Sequence, residues 1–349
     1  VQPKADGQEA ALAAGARVGD LGELALIERI NRRVGSPPRR VVIGIGDDTA
    51  AVRLTAGTLA LMTTDAMVED VHFRRRSSSA ADVGWKALAI NASDIASMGG
   101  APTAAMVSLV LPPTLEARWV DDLYEGLIEA ARAFDIAIVG GNLAQGPSIV
   151  IDVGLLGEVA EDRVISRAHA RPGDLVAVTG TLGRAAAGLI ALEHDSLPAV
   201  GSEAASAIQA QRRPQPRLAA GRALAASGAV RAMIDLSDGL ALDLSRLCDA
   251  SAVGVRIDAT RLPIDAAVQT VARFAGRDLV DLAIAGGEDY ELLFAIPPEA
   301  ERQVMDALAA VEVSATVIGT MLSSEHGRTI VVDGAEVPLE ARGWTHFGG

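Results

Sequence analysis

Five times along the chain an acid stands beside Gly, Ser or Thr where an apolar segment ends or a strand gives way to a helix. The stretches are GIGDD at 44–48, TTD at 63–65, SD at 93–94, DLSD at 235–238 and GGED at 286–289. Surface acids ordinarily lie on helix faces among Lys and Arg, and these do not. A fold for this chain must end several strands in turns and carry carboxylates there. Taken singly, each stretch has a plain structural explanation, because Asp and Ser begin helices and fill turns. Ser237-Asp238 would cap a helix from Gly239, and Asp47-Asp48 would make a tight turn. The recurrence favours a shared acidic cleft that holds metal ions.

The bulk numbers allow such a cleft. With 349 residues, half of them hydrophobic, the chain can build two domains with sizeable cores. No apolar run reaches the roughly 18 residues of a membrane span, and no secretory pattern opens the sequence. Residues 1–19, rich in Ala and Gly, are expected to form a flexible tail. The single cysteine, Cys248, excludes an internal disulfide and cysteine-based zinc sites, and the five histidines form no HxH or HxxxH pair. A reducing, cytoplasmic location is expected. The net charge of −14 argues against a nucleic-acid groove but not against anionic ligands with metal ions between. Lys4 and Lys86 are the only lysines, which draws attention to Lys86 in the middle of the chain.

Asp20 and Glu23 have capping-box spacing ahead of an amphipathic helix. Strands are expected at 40–46, 50–54 and 58–64, and a helix over 80–98 from Ser79 to Gly99-Gly100. A strand at 103–111, a helix over 114–134 and strands at 136–141 and 148–159 follow. A turn at Arg171-Pro172-Gly173-Asp174, followed by LVAVTG as a buried-type strand, opens a second block, which puts a boundary near 160–172. That block has helices near 183–193, 201–212, 216–227, 239–250 and 277–285. Its strands fall near 231–235, 254–258, 289–296, 315–320 and 328–332. The mixture lacks a strict βαβ rhythm. It reads as two α/β (α+β) lobes, spanning 20–165 and 166–349, rather than one doubly wound sheet.

Mg²⁺ takes oxygen ligands, usually one or two carboxylates plus substrate phosphates. The acids supply the carboxylates, and the hydroxyls of Thr63, Thr64 and Ser237 add neutral oxygens. In the helix over 80–98, Asn91 and Asp94 share a face, with Lys86 two turns upstream. That polar strip faces either a site or solvent. TGTLG at 179–183 would let a helix start meet a phosphate, and GGN at 140–142 reads as a glycine turn after a strand. The P-loop, protein-kinase, dinucleotide and nucleophile-elbow signatures are all absent from the sequence. Nucleotide phosphates would therefore be handled by metals and Asp.

GIGDDTAAV, TTDAMVEDVHF, GWKALAINASDIASMGGAP, IDLSDGLALDL and GGEDYELLF occur in this order, with GWTHF near the end. Together they resemble the thiamine-monophosphate kinases of the aminoimidazole-ribonucleotide-synthetase-like superfamily, from about Asp20 to Phe347. The resemblance implies a two-lobed fold, its N-terminal lobe dimerising through its sheet and its C-terminal α/β lobe closing over the nucleotide. It implies ATP-dependent phosphorylation of thiamine monophosphate, with several Mg²⁺ ions and a homodimer. Asp48, Thr63, Thr64, Asp65, Asp94 and Asp235 would belong to the metal cluster, joined by Asp238. Ser237, Gly141 and Arg167 would contact ATP, and His72, Glu288 and Trp344 would lie on the thiamine side. Asn142 stands where many members have Asp, so it offers a carbonyl oxygen to the metal but no charge.

Three relatives by fold remain as rivals. An aminoimidazole-ribonucleotide synthetase would activate an amide with ATP. A selenide dikinase needs a reactive Cys near its N-terminus, and Cys248 is in the wrong half. A hydrogenase-maturation protein usually ends in a Cys-bearing tail, while this chain ends in HFGG. A metal- or nucleotide-binding relative without turnover is the rival from outside enzymology.

Overall fold

Apolar runs bounded by glycine and proline become the strands of three sheets, one of them a two-stranded pair. The computed structural model describes residues 16–46, 49–193 and 201–345. They divide into one unit of Val1–Ala92 and Pro102–Glu158 and a second of Ser93–Ala101 and Val159–Gly349. The first unit carries α1 (Val18–Leu21), α2 (Glu23–Val34), β1 (Val41–Ile43), β2 (Ala51–Val52) and β3 (Thr58–Val68). Then come α3 (Ala80–Ser97), β4 (Ala101–Leu111), α4 (Ala117–Phe134), β5 (Ala137–Gln145) and β6 (Val150–Ala160). Residues 93–97 of α3 are counted with the second unit.

Four of these strands form a sheet in the order β3-β6-β4-β5, and β1 pairs antiparallel with β2. β4 and β5 run parallel, Ala104 opposite Ala137, with α4 as the crossover between them. α4 buries Val120, Leu123, Tyr124, Leu127, Ala131 and Phe134, a stripe at helical spacing. Two glycines bring α3 against α4. A Cβ at Gly84 would lie 2.1 Å from the Leu123 carbonyl oxygen, and one at Gly126 would lie 1.8 Å from that of Ala81. The start of α3 follows the sequence reading, because Ser79 Oγ accepts from Asp82 N–H at 3.1 Å. Its end does too, because Gly99 takes a φ of +76°.

The second unit continues with β7 (Leu175–Thr179), α5 (Arg184–Glu193), α6 (Ser202–Arg212), α7 (Leu218–Ser227) and β8 (Ala232–Asp235). Next are α8 (Leu240–Ser251), β9 (Val253–Asp258), α9 (Ala266–Ala275), α10 (Leu279–Ala285) and β10 (Leu292–Ile296). α11 (Glu301–Ala309), β11 (Ala315–Ser323), β12 (Arg328–Val332) and β13 (Ala335–Pro338) complete it. The seven-stranded sheet has the order β13-β12-β9-β11-β7-β10-β8. Its pairs are antiparallel except β12 with β9. Every residue of β8 and β10 is buried; β10 is an unbroken apolar run, and β8 is apolar up to its last residue, Asp235. Leu240, Leu244 and Leu247 of α8 pack with Val176, Val178, Ile234 and Leu293. A second cluster joins α5, α6 and α9 through Ala187, Ala191, Ala204, Ala207, Val268 and Val271.

Three sequence expectations need correction, and one alternative left open is decided. The expected tail over 1–19 is structured from Arg17 on: Val18 N–H donates to the Leu115 carbonyl at 2.8 Å, and α1 begins there. Asp20 does not cap the next helix; its Oδ2 accepts from Arg17 N–H at 3.3 Å, and Gly22 stands at the N-cap of α2. The expected turn at 140–142 is the middle of β5, in register with β4. The polar strip on α3 does not face solvent, for Lys86 is 5 % exposed and Asn91 fully buried. The chain also holds α9, α11 and β13, which the sequence reading does not place.

Candidate functional site

Each unit carries part of the predicted residue set. In the first, Thr63, Thr64 and Asp65 lie on β3, where alternation puts Thr63 and Asp65 on one face and Thr64 on the other. Thr64 is exposed, and its hydroxyl donates to Asp152 Oδ1 of the neighbouring strand β6 at 2.6 Å. Asp152 does not stand out in the sequence, where it is one polar residue in an alternating strand. Gly141 and Asn142 lie on β5, opposite Val107 and Ser108. β5 and β3 are the two edges of the sheet, three strand spacings of roughly 4.8 Å apart, about 14 Å in all. Asn142 therefore does not join Thr63 and Asp65 within one chain's sheet. Gly141 has a backbone reason to be glycine, since a Cβ there would come within 1.8 Å of the Val107 oxygen.

β3 ends in a turn with Asp70 in the left-handed region at φ +64°. His72 sits in this turn, half-buried, and its Nδ1 accepts from Val68 N–H at 3.0 Å. That bond makes Nδ1 an acceptor and orients the imidazole. Asp48 lies outside the described residues, together with Asp47.

The second unit gathers more of the set. Asp235 is the last residue of β8, 6 % exposed, and its Oδ2 accepts from Ser93 Oγ at 2.6 Å. Asp94 follows Ser93 in α3 and is half-buried. Past Asp235 the chain forms the Ser237-Asp238-Gly239 loop, with Gly239 at φ +117° as the N-cap of α8. Neither Ser237 nor Asp238 caps that helix. Asp243 instead holds the loop from inside the helix: its Oδ2 accepts from the N–H groups of Asp238 at 3.0 Å and Gly239 at 3.1 Å. Arg246 Nη1 ties Asp238 Oδ2 at 2.5 Å to Asp243 Oδ1 at 2.7 Å. Burial pushes the Asp243 carboxyl up to about 6, against the pull of its N–H donors and Arg246. Asp238, expected as a metal ligand, thus already has a cationic partner.

Two distant segments dock on this loop. Glu288 N–H donates to the Ser237 carbonyl at 2.8 Å, and Trp344 N–H donates to that of Asp238 at 3.0 Å. The GGED stretch is bent to fit, with Glu288 at φ +70° and Tyr290 at φ +50°. The Glu288 carboxylate accepts from Gln211 Nε2 at 2.7 Å. The Trp344 side chain is half exposed. Arg167 is exposed beside the Ser166 carbonyl that accepts from Met233 N–H of β8 at 2.9 Å.

The start of α5 after TGTLG is not open to a phosphate as expected. Asp289 occupies it, accepting from Gly183 N–H at 2.6 Å and Ala185 N–H at 3.0 Å. Desolvation pushes the Asp289 carboxyl up to about 7, although the N–H donors favour its charge. Nearby, the buried Glu291 accepts from Thr179 Oγ1 at 2.7 Å and is paired with Arg217. A cavity of about 250 Å³ lies here, lined by Arg184, Arg213, Arg217, Glu288, Asp289 and Glu291 among others.

Among the described residues no three His, Cys, Asp or Glu side chains stand together as a ready-made metal cage. The donors present are oxygens: Thr63, Thr64, Asp65 and Asp152 in one unit, Asp94, Asp235 and Asp238 in the other. Each group, taken by itself, fits Mg²⁺, which keeps several waters and takes few protein ligands when phosphates supply the rest. Ser93 and Asp289 lie inside the flagged SD and GGED stretches without a role of their own, and Asp152, Asp243 and Arg246 are the members that sequence reasoning missed. Of these, Asp243 alone left a local trace, as an acid in the first turn of a helix.

The sequence matches the AIR synthase related protein N-terminal domain over residues 46–159 and the C-terminal domain over residues 171–332. It is 37% identical over 327 residues to the thiamine-monophosphate kinase of Escherichia coli strain K12, covering 93% of this chain and 98% of that protein. The fold is similar to a crystal structure of thiamine-monophosphate kinase from Stenotrophomonas maltophilia K279a. That likeness has a TM-score of 0.77 at 33% identity and covers 90% and 97% of the two chains. It is also similar to AaThiL complexed with AMPPCP and TMP, with a TM-score of 0.74 at 35% identity over 95% and 99% of the chains.

Proposed function

This chain belongs to the thiamine-monophosphate kinases of the AIR synthase related family, and we infer that it does what that family does. It phosphorylates thiamine monophosphate to thiamine diphosphate with ATP, a step of thiamine diphosphate biosynthesis. One observation within the molecule supports this above the others. The backbone of Ser237-Asp238 receives both Glu288, from the GGED stretch, and Trp344, from the C-terminal segment. Residues expected on the nucleotide side and on the thiamine side thereby meet on one loop.

The acceptor is a phosphate with a second pKa near 6, so it is mostly a dianion at neutral pH and needs no general base. The difficulty is electrostatic. Each pair of unit charges brought to about 4 Å costs about 4 kcal/mol at an effective dielectric of 20. Magnesium, when bound, supplies the charge that offsets this repulsion. In the first unit the oxygens offered to it are those of Thr63, Thr64 and Asp65, with Asp48 and Asn142 from the family pattern. In the second they are those of Asp94, Asp235 and Asp238. Asp238 must loosen its contact with Arg246 to take part. Arg246 would then be left beside the phosphates, a suitable place for a guanidinium. Ser237, Gly141 and Arg167 contact ATP; His72, Glu288 and Trp344 contact thiamine monophosphate. The transfer is direct and in line, with no phosphoenzyme, so positioning and charge stabilisation carry the catalysis.

A homodimer is part of this reading. Met62 at 83 % exposure, Leu59 on the same edge strand and Met106 on β4 leave apolar side chains uncovered on the first unit's sheet, a surface suited to a second copy. A cytoplasmic location accords with the ATP requirement, and among the described residues no helix is long and apolar enough to cross a membrane.

The test is a coupled assay for thiamine diphosphate, with and without Mg²⁺, on wild type and Asp65→Asn. Formation of product that requires both substrates and Mg²⁺ is expected, with a severe loss in the variant. ATP consumption that ignores thiamine monophosphate would sink the reading. So would trapping of a labelled phosphoenzyme, for the direct transfer.

A further inference from the structure

Ser93 spends its hydroxyl in an unusual way. A serine inside a helix ordinarily returns its hydroxyl to a carbonyl three or four residues back. Ser245 of α8 does so to Ala241 at 2.7 Å, and Ser97 of α3 does so to Asp94 at 2.8 Å. Ser93, also in α3 and completely buried, reaches instead across 142 residues of sequence to Asp235 Oδ2 at 2.6 Å. The distance is that of a strong hydrogen bond from a hydroxyl to a charged oxygen. Asp235 is itself nearly buried at the end of β8. A buried carboxylate is costly unless donors hold it. The donor here also fixes the rotamer of the acid, because Ser93 is anchored on a helix whose neighbouring residues Ala92, Ile95 and Ala96 are packed.

We propose that Ser93 is a positioning residue that holds the Asp235 carboxylate correctly turned for the magnesium–nucleotide complex. The proposal rests on the reading of Asp235 as a magnesium-side carboxylate. Ser93 touches neither substrate; it acts through Asp235. Outer partners of metal-binding carboxylates typically carry a 10–100-fold effect on metal affinity or activity.

The experiment uses the full chain and Mn²⁺ as a probe, with free Mn²⁺ counted by electron paramagnetic resonance in the presence of a non-hydrolysable ATP analogue. Ser93→Ala is expected to weaken Mn²⁺ binding roughly 10–100-fold. It should raise the Mg²⁺ concentration for half-maximal rate in parallel and leave the KM for thiamine monophosphate nearly unchanged. Ser93→Thr, which keeps the hydroxyl, should restore most of the binding. Should Ser93→Ala fail to fold, the nearly isosteric Ser93→Cys, a weak donor, is expected to show the same loss. Wild-type Mn²⁺ affinity in the Ala or Cys variant, or no rescue by Thr in a folded protein, would overturn the proposal. A wild-type protein that makes no thiamine diphosphate would instead defeat the functional reading beneath it.

Discussion

The backbone N–H of Trp344 is bonded to the carbonyl of Asp238 at 3.0 Å, which brings the C-terminal segment onto the loop between β8 and α8. The contact is tight: a Cβ at Gly343 would come within 2.4 Å of the same oxygen. A backbone bond docks this segment, and the indole ring is half exposed. The thiazolium ring of thiamine is a permanent cation, and an aromatic face over such a charge contributes ~0.5–2 kcal/mol. Trp344→Ala should therefore raise the KM for thiamine monophosphate about 2–30-fold and leave that for ATP nearly unchanged. Steady-state kinetics with each substrate varied would check this, and an effect confined to ATP would contradict it.

Asp289 gives the molecule an acid-side stability term of definite sign. Its carboxyl is raised to about 7, so the folded chain binds a proton there that the unfolded chain has released by about pH 4–5. Protons bound in the folded state in excess make stability fall as pH rises. The contribution is lost progressively between about pH 4 and pH 7. Asp289→Asn removes the titration while keeping an acceptor for one of the two N–H donors. Urea midpoints at pH 4.5 and 7.5 should differ less in the variant than in wild type, by an amount on the order of 1–4 kcal/mol. An identical pH dependence in both proteins would show that Asp289 does not titrate in this range.

Glu291 is 4 % exposed and depends on Arg217, which is 30 % exposed, and on the Thr179 hydroxyl. Removing the cation leaves a buried carboxylate with neutral donors only, the Thr179 hydroxyl and the Thr181 N–H at 3.4 Å. Arg217→Met is expected to destabilise the fold by about 2–4 kcal/mol, discounted from the fully buried case because the guanidinium is partly solvated. Adding Glu291→Leu should recover much of the loss. Chemical denaturation of the single and double variants measures both steps, and a double variant no more stable than the single would contradict the pairing.

Gly141 separates a backbone role from a ligand role. A Cβ at this position meets the Val107 carbonyl at 1.8 Å, across the β4–β5 pairing. Gly141→Ala should break that pairing and lower the thermal midpoint by several degrees, a loss of roughly 1–3 kcal/mol or more. A variant with unaltered thermal stability and only a raised KM for ATP would mean that the strand yields and the glycine serves the nucleotide alone.

Much of the architecture was legible because short-range rules suffice for it. The unbroken apolar runs LVAVT and LLFAI became central strands buried throughout most of their length. Ser79 and Gly99 marked the ends of α3 through rules that act within a turn or two. α9 escaped although Asp265 caps it, accepting from Val268 N–H at 3.0 Å. Its apolar side, Ala267, Val268, Val271 and Ala272, is made of small residues and followed a stretch of turns. GGN at 140–142 reads as a turn by composition, yet the pairing with β4 holds it extended, an instance of tertiary context overriding local preference.

The family-bearing motifs, the number of lobes and the chemistry of oxygen donors were all set by residue identity and short spacing. The partners of those donors were decided elsewhere. Ser93 meets Asp235, Thr64 meets Asp152 and Asp289 meets the start of α5 across 142, 88 and about a hundred residues respectively. Asp243, one polar residue on an amphipathic helix, came to hold the loop ahead of that helix only because Gly239 turns the chain back over it. Periodicity and capping act over two to four residues, whereas a hydrogen bond between side chains far apart in sequence exists only once two separately formed elements have packed. The carboxylates could be named from the sequence; the group that holds each of them is a product of the fold.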